Sequence, residues 1–175
     1  MSPPATLPSI TRRAPAPGTT QAVMTDLREF LTFQVGNEEY GVDILRVQEI
    51  RSYEKPTTIA NATGELLGVM NLRGVIVPIL DLRLKLGQIA VHYDHLKVVI
   101  VLHIGQRTVG VVVDGVSDVL TLEREQLRPV PALRGNVKPE HLLAIGSVGK
   151  RMLILLDIEQ FLSNAVTGEA QATSH

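Results

Sequence analysis

Gly68-Val69-Met70-Asn71-Leu72-Arg73-Gly74-Val75-Ile76-Val77-Pro78-Ile79-Leu80-Asp81-Leu82 is the stretch whose reading decides the fold. Two apolar runs flank Asn71-Leu72-Arg73-Gly74. Asn suits the first position of a type I turn and Gly the last. The pattern predicts a β-hairpin whose tip presents Leu72 and Arg73 to solvent. Arginine forks well onto carboxylates, which makes such a tip a candidate docking feature.

Working outward, an internal repeat surrounds the hairpin. At an offset of 69 residues, Val35 meets Ile104, Gly36 meets Gly105 and Gly41 meets Gly110. The register continues through Val47 with Val116, Glu49 with Asp118 and Ile50 with Val119. At an offset of 76, Leu80-Asp81-Leu82 meets Leu156-Asp157-Ile158. Length changes of this kind fall in loops. Two copies are too few for a solenoid and point to two similar modules.

Each copy reads as five short strands. In the first they are Glu29–Val35, Glu39–Val42, Val47–Tyr53, Leu66–Leu72 and Val75–Leu80. In the second they are Lys97–Ile104, Thr108–Val113, Ser117–Thr121, Leu142–Val148 and Arg151–Leu156. Val98 to Leu102 is too continuously apolar for a strand with one wet face, which implies burial on both. Pro78 lacks a ladder donor and suggests an edge or a bulge. Asp157 caps a short terminal helix over about 157–163. Five short strands per unit favour a small closed barrel, so the fold class is all-β.

Composition agrees. The chain has 175 residues, 45% hydrophobic and only 3% aromatic, so the core is built from Val, Ile and Leu. The formal net charge of -1 and the few scattered aromatics argue against a nucleic-acid binder. No cysteine is present, which excludes disulfides and thiolate chemistry. No stretch approaches the roughly 20 apolar residues of a membrane span. Five prolines (Pro3, Pro4, Pro8, Pro15, Pro17) mark residues 1–24 as a disordered tail, and 166–175 as a second flexible one.

Catalytic and metal motifs are weak. His92-Tyr93-Asp94-His95 lacks a further fixed ligand and reads as a polar connector. Asp114-Gly115-Val116-Ser117-Asp118 is an incomplete calcium loop and reads as a turn. Ser117, His141 and Asp157 lack a nucleophile elbow, and no phosphate loop occurs. Neither an enzyme, a cofactor nor a metal is expected; what remains is a surface for proteins.

The repeat supplies an internal control. Arg73 corresponds to Gly149, so the turn itself does not demand arginine, and the first copy alone offers one in this hairpin. Val47 and Glu49 lie two apart and are expected to share a face, as are Val116 and Asp118. Arg73 and Glu49 are expected to approach each other and shape one groove.

Glu39 to Ile50, Asn71 to Pro78 and Val112 to Leu120 together resemble the signature stretches of the CheW family of chemotaxis coupling proteins. The resemblance covers residues 28–163. It implies two intertwined five-stranded SH3-like barrels with short helices, a first barrel over about 28–87 and a second over about 96–157, within a domain of 25–165. It implies a non-enzymatic adaptor between the histidine kinase CheA and the cytoplasmic tips of methyl-accepting chemoreceptors. The alternative is an adaptor of a non-flagellar chemosensory system. Positions matching Val47, Glu49, Arg73, Val98, Val116 and Val119 would form the receptor face, and Gly68 and Leu72 the kinase face. Further copies in rings are possible partners; nucleic acid and direct membrane insertion are not expected. The implied location is cytoplasmic, at the inner face of the membrane through receptor arrays.

Overall fold

The computed structural model describes residues 27–62, 64–131 and 138–163. The expected tails at 1–24 and 166–175 lie outside the described residues. Among the described residues, eleven strands follow in order: β1 Leu27–Val35, β2 Glu38–Asp43, β3 Val47–Ser52, β4 Leu66–Leu72, β5 Val75–Asp81, β6 Val98–Ile104, β7 Arg107–Val113, β8 Gly115–Glu123, β9 Leu127–Arg128, β10 Leu142–Val148 and β11 Arg151–Leu156. Helix α1 spans Leu82–Lys85, and α2 covers residues 158–163. All ten strands read from sequence are present, together with the two-residue β9.

The strands form two sheets, ordered β8-β1-β2-β11-β10-β9 and β3-β6-β7-β5-β4. Under the repeat, β1 to β5 correspond to β6, β7, β8, β10 and β11. Substituting each strand of the second sheet by its counterpart reproduces the first, β9 aside. The two copies have exchanged their first hairpins: β1–β2 pairs with strands of the second copy, and β6–β7 with strands of the first. The ranges 28–87 and 96–157 therefore mark the copies along the chain and not the sheets, which combine 27–43 with 115–156 and 47–81 with 98–113. The chain crosses between sheets twice, from β2 to β3 through the 3-10 turn Ile44–Arg46 and from β7 to β8 at Asp114.

The exchange explains the apolar run in β6. Ile100, Leu102 and Ile104 enter a central cluster with Leu31, Phe33 and Val42 of the first sheet. Val99 and Val101, on the opposite face, pack with Leu72, Val77 and Ile79. A third cluster, Phe30, Leu122, Leu153 and Leu155, belongs to the first sheet alone. Each such side chain contributes about 1.5–3 kcal/mol when fully buried.

Two local expectations change. The tip of the β4–β5 hairpin is a two-residue turn, with φ of 54° at Arg73 and 88° at Gly74. Positive φ at both central residues is the primed geometry that matches strand twist. Leu72 is consequently the last strand residue and only 6% exposed, packed inward and not presented to solvent. Asn71 Oδ1 accepts the Gly74 N–H at 2.8 Å. Pro78 is not on an edge strand, since β5 lies between β7 and β4, but a β-bulge does adjoin it, opposite Ile79 and Leu80. The proline is tolerated because the ladder to β7 begins only at Ile79, while Val69 opposite bonds its N–H and C=O to Thr57.

Candidate functional site

A β-bulge governs which side chains share a face. In β3, Val47 lies opposite Leu102 and Glu49 opposite Val101, with a register shift between them. Leu102 faces the central cluster and Val101 the other side. Val47 and Glu49 thus point to opposite faces, which corrects the reading from simple alternation. The second copy repeats the device. Val116 lies opposite Phe33 and Val119 opposite Leu31, with the shift between Leu31 and Phe33. Asp118 instead bonds Thr32, on the reverse face of β1.

The bulges sort the expected receptor residues into two groups. Val47, Val98 and Val116 are half-buried against the central cluster between the sheets. Val119 shares that side and is 47% exposed. Ile50, paired with Ile100, is its counterpart in β3 at 46% exposure. Sequence reasoning omitted Ile50, although the repeat had aligned it with Val119. These five side chains line an apolar rim along β3, β8 and the start of β6.

Glu49 and Arg73 form the second group, away from that rim. The Arg73 guanidinium meets the Glu49 carboxylate, and Arg51 Nη1 lies 3.4 Å from the same group. Glu49 sits on β3 and Arg73 beyond β4, the two end strands of the second sheet. The pair therefore draws that sheet into a curl. The first sheet has the same latch by a different residue: Arg151 of β11 reaches Asp118 of β8 at 3.2 Å and Glu39 at 2.5 Å. The second hairpin does carry an arginine, two positions beyond the one aligned with Arg73. The hydrogen bonds from Arg151 and then Thr32 hold the Asp118 carboxyl below the usual carboxylate range.

Arg73 adopts a left-handed conformation that costs most side chains about 1–2 kcal/mol. Its counterpart Gly149 has φ of 59° and no such penalty. The first copy thus holds an arginine in a backbone conformation that the second copy fills with glycine.

Gly68 and Leu72, expected on the kinase face, are both buried. A Cβ at Gly68 would lie 2.1 Å from the Thr57 carbonyl oxygen, and its φ is 151°. Glycine is required there by close backbone approach. The surface beside it, however, is a groove of about 410 Å³ whose lining includes Ile59, Val69, Val75 and Ile76. Val75 and Ile76 are 54% and 60% exposed.

A buried polar network escaped the sequence reading. Arg83, 1% exposed, forks onto Asp81, with Nε–Oδ1 at 3.0 Å and Nη2–Oδ2 at 2.9 Å. Its Nη1 also donates to the His92 carbonyl at 2.9 Å and to Asp114 at 3.1 Å. The Tyr93 hydroxyl donates to Asp81, and Asp94 accepts the Leu96 N–H. The His92–His95 connector is anchored through these bonds. Burial alone would raise the Asp114 carboxyl, but the Gly36 N–H, Arg83 and Lys97 outweigh it and hold it below the usual range. Among the described residues, no group of three His, Asp or Glu side chains is placed to hold a metal, and no helix is long and apolar enough to cross a membrane.

The profile of the CheW-like domain matches residues 29–166. The chemotaxis protein CheW of Klebsiella aerogenes is 59% identical over 137 residues, covering 78% of this chain and 82% of that protein. A probable chemotaxis protein CheW of Rhizobium etli is 35% identical, covering 78% and 88% respectively. The crystal structure of the scaffolding protein TtCheW from Thermoanaerobacter tengcongensis superimposes with a TM-score of 0.70 at 24% identity, over 77% of this chain and 87% of that one. By the match over residues 29–166 and the 59% identity, this chain belongs to the CheW-like domain family.

Proposed function

We propose that the chain is a non-enzymatic adaptor of bacterial chemotaxis that couples methyl-accepting chemoreceptors to the histidine kinase CheA. The observation that carries the reading is the presence of two separate exposed apolar surfaces on one body. One is the rim of Val47, Ile50, Val98, Val116 and Val119 between the sheets. The other is the groove under Val75 and Ile76. An adaptor needs two such faces, and exposed apolar patches mark protein contacts.

The rim offers a receptor hairpin an apolar bed, with Glu49 and Arg73 holding β3, one of its walls. The groove under Val75 and Ile76 takes the kinase; Leu66 and Val69 of β4 line it, and Gly68 and Leu72 are buried in the same strand. Many weak contacts of this kind accumulate into firm assembly when the partners are multivalent, other copies of the chain included. The chain then resides in the cytoplasm, against the membrane through the receptors.

The test is co-sedimentation of the wild-type protein with CheA and with a receptor signalling fragment. Val119→Glu is expected to lose the receptor fragment and keep CheA, and Ile76→Glu the reverse. Failure of the wild type to bind either partner overturns the adaptor reading. Parallel loss of both partners in each variant overturns the two-face assignment.

A further inference from the structure

The two crossings between the sheets are held very differently. At the β7-to-β8 crossing, Asp114 receives Arg83 and the Gly36 N–H at 2.8 Å, and donates its own N–H to the Gln34 carbonyl at 3.0 Å. Gly36 and Gln34 belong to the β1–β2 hairpin of the first sheet, whereas Asp81 ends β5 of the second. One guanidinium therefore ties both sheets to the crossing. Its side chain is 2% exposed and that of Asp81 fully buried.

The β2-to-β3 crossing keeps an ion pair at the corresponding place with its signs reversed. Glu159 aligns with Arg83 at the offset of 76, and Arg46 with Gly115, next to Asp114, at 69. Arg46 and Glu159 pair, but their side chains are 41% and 39% exposed. Exposed pairs of this kind are worth little, whereas removing one partner of a buried, forked pair is strongly felt.

Each crossing leads directly into one wall of the apolar rim. Val116 follows Asp114 by two residues, and Val47 follows Arg46 at once. We propose that Arg83 is a positioning residue for the rim: through Asp114 it fixes the β8 wall and the angle between the sheets, while the β3 wall is the compliant one. The inference rests on the adaptor reading for its receptor consequence but not for its geometry.

The chain lacks cysteine, so paired spin labels can be introduced cleanly. Ser52 and Thr121, exposed and equivalent under the repeat, report the separation of the two walls. In the Ser52→Cys/Thr121→Cys protein, Arg83→Lys keeps the charge but loses the fork, and is expected to broaden the inter-label distance distribution. The same change is expected to weaken a receptor signalling fragment about tenfold while CheA binding stays within twofold. Arg46→Gln should leave the distribution unchanged. Asp114→Asn, which keeps an oxygen for Gly36, is the second variant and should broaden it even if Arg83→Lys fails to fold. A folded Arg83→Lys or Asp114→Asn protein with the wild-type distribution overturns the proposal, as does equal broadening by Arg46→Gln. Absence of receptor binding by the wild type counts against the adaptor reading alone, because the distance measurement involves no partner.

Discussion

Replacing Arg73 by glycine separates stability from function. The left-handed backbone at Arg73 costs about 1–2 kcal/mol, which glycine relieves. Glycine gives back about 0.4–1 kcal/mol through its larger unfolded-state entropy. The lost ion pair is worth about 0.2–1 kcal/mol, because the arginine side chain is 66% exposed. Glu49 is not stranded, since Arg51 remains beside it. The net change for Arg73→Gly lies between about 1.4 kcal/mol of stabilisation and about 1 kcal/mol of destabilisation by these same quantities. Arg73→Ala keeps the strained backbone and loses the pair, so it should be the less stable variant. Both should impair receptor-dependent kinase activation to the same extent, because β3 loses its latch in each. Urea denaturation followed by circular dichroism measures the first effect, and kinase activity in reconstituted arrays the second. The reasoning is refuted if Arg73→Gly loses more than about 2 kcal/mol, double the expected bound, or if it activates the kinase normally.

Three further outcomes are expected. Gly68→Ala should lose about 2–5 kcal/mol, combining backbone strain with disruption of the two Thr57–Val69 hydrogen bonds at 2.9 Å; an unchanged denaturation midpoint would contradict the close approach. Leu72→Ala should lose about 2–4 kcal/mol, as for a core leucine at 6% exposure. A cost near zero in the same titration would return Leu72 to a solvent-facing tip. Acid should destabilise the fold through Asp114 and Asp118, whose carboxyls are held low in the folded chain. Their contribution is present above the unfolded carboxylate pKa of about 3.9 and is lost as pH falls through the lower folded values. Asp114→Asn should flatten the acid limb of stability against pH, and an unaltered limb would exclude Asp114 from it.

Strands, turns and the repeat were legible because they are local. Val98 to Leu102 declared a doubly buried strand, and Gly36 and Gly105 declared matching turns. Three features were not legible because they depend on partners far along the chain. Alternation put Val47 and Glu49 on one face, since nothing in six residues reveals a bulge opposite β6. The exchange of hairpins leaves each strand's own pattern unchanged, so the strand patterns alone do not reveal it; the intertwined barrels were implied only by the family resemblance. Arg83 and Tyr93 have the composition of surface residues, and only the fold brings Asp81, Asp114 and the connector around them. Arg151 was missed for a different reason. The repeat points to Gly149 for the latch of the first sheet, but the side chain two positions along the hairpin reaches Asp118, the acid equivalent to Glu49.

That substitution of Arg151 for Arg73 shows what duplication within one chain permits. Each sheet carries an arginine-to-acid latch. The first sheet supplies it from a strand, which leaves its turn free for glycine. The second supplies it from the turn itself, accepting a strained residue there. In exchange, the second sheet has Val75 and Ile76 where the first has Arg151 and Met152. Moving the arginine to the tip clears the start of β5 of charge, and the apolar groove under Val75 and Ile76 is the result. The strain at Arg73 and the exposed apolar surface beside it are therefore one feature. A symmetric pair of identical subunits could not hold it on one half alone. A duplicated chain can, and this asymmetry gives one scaffold two different faces.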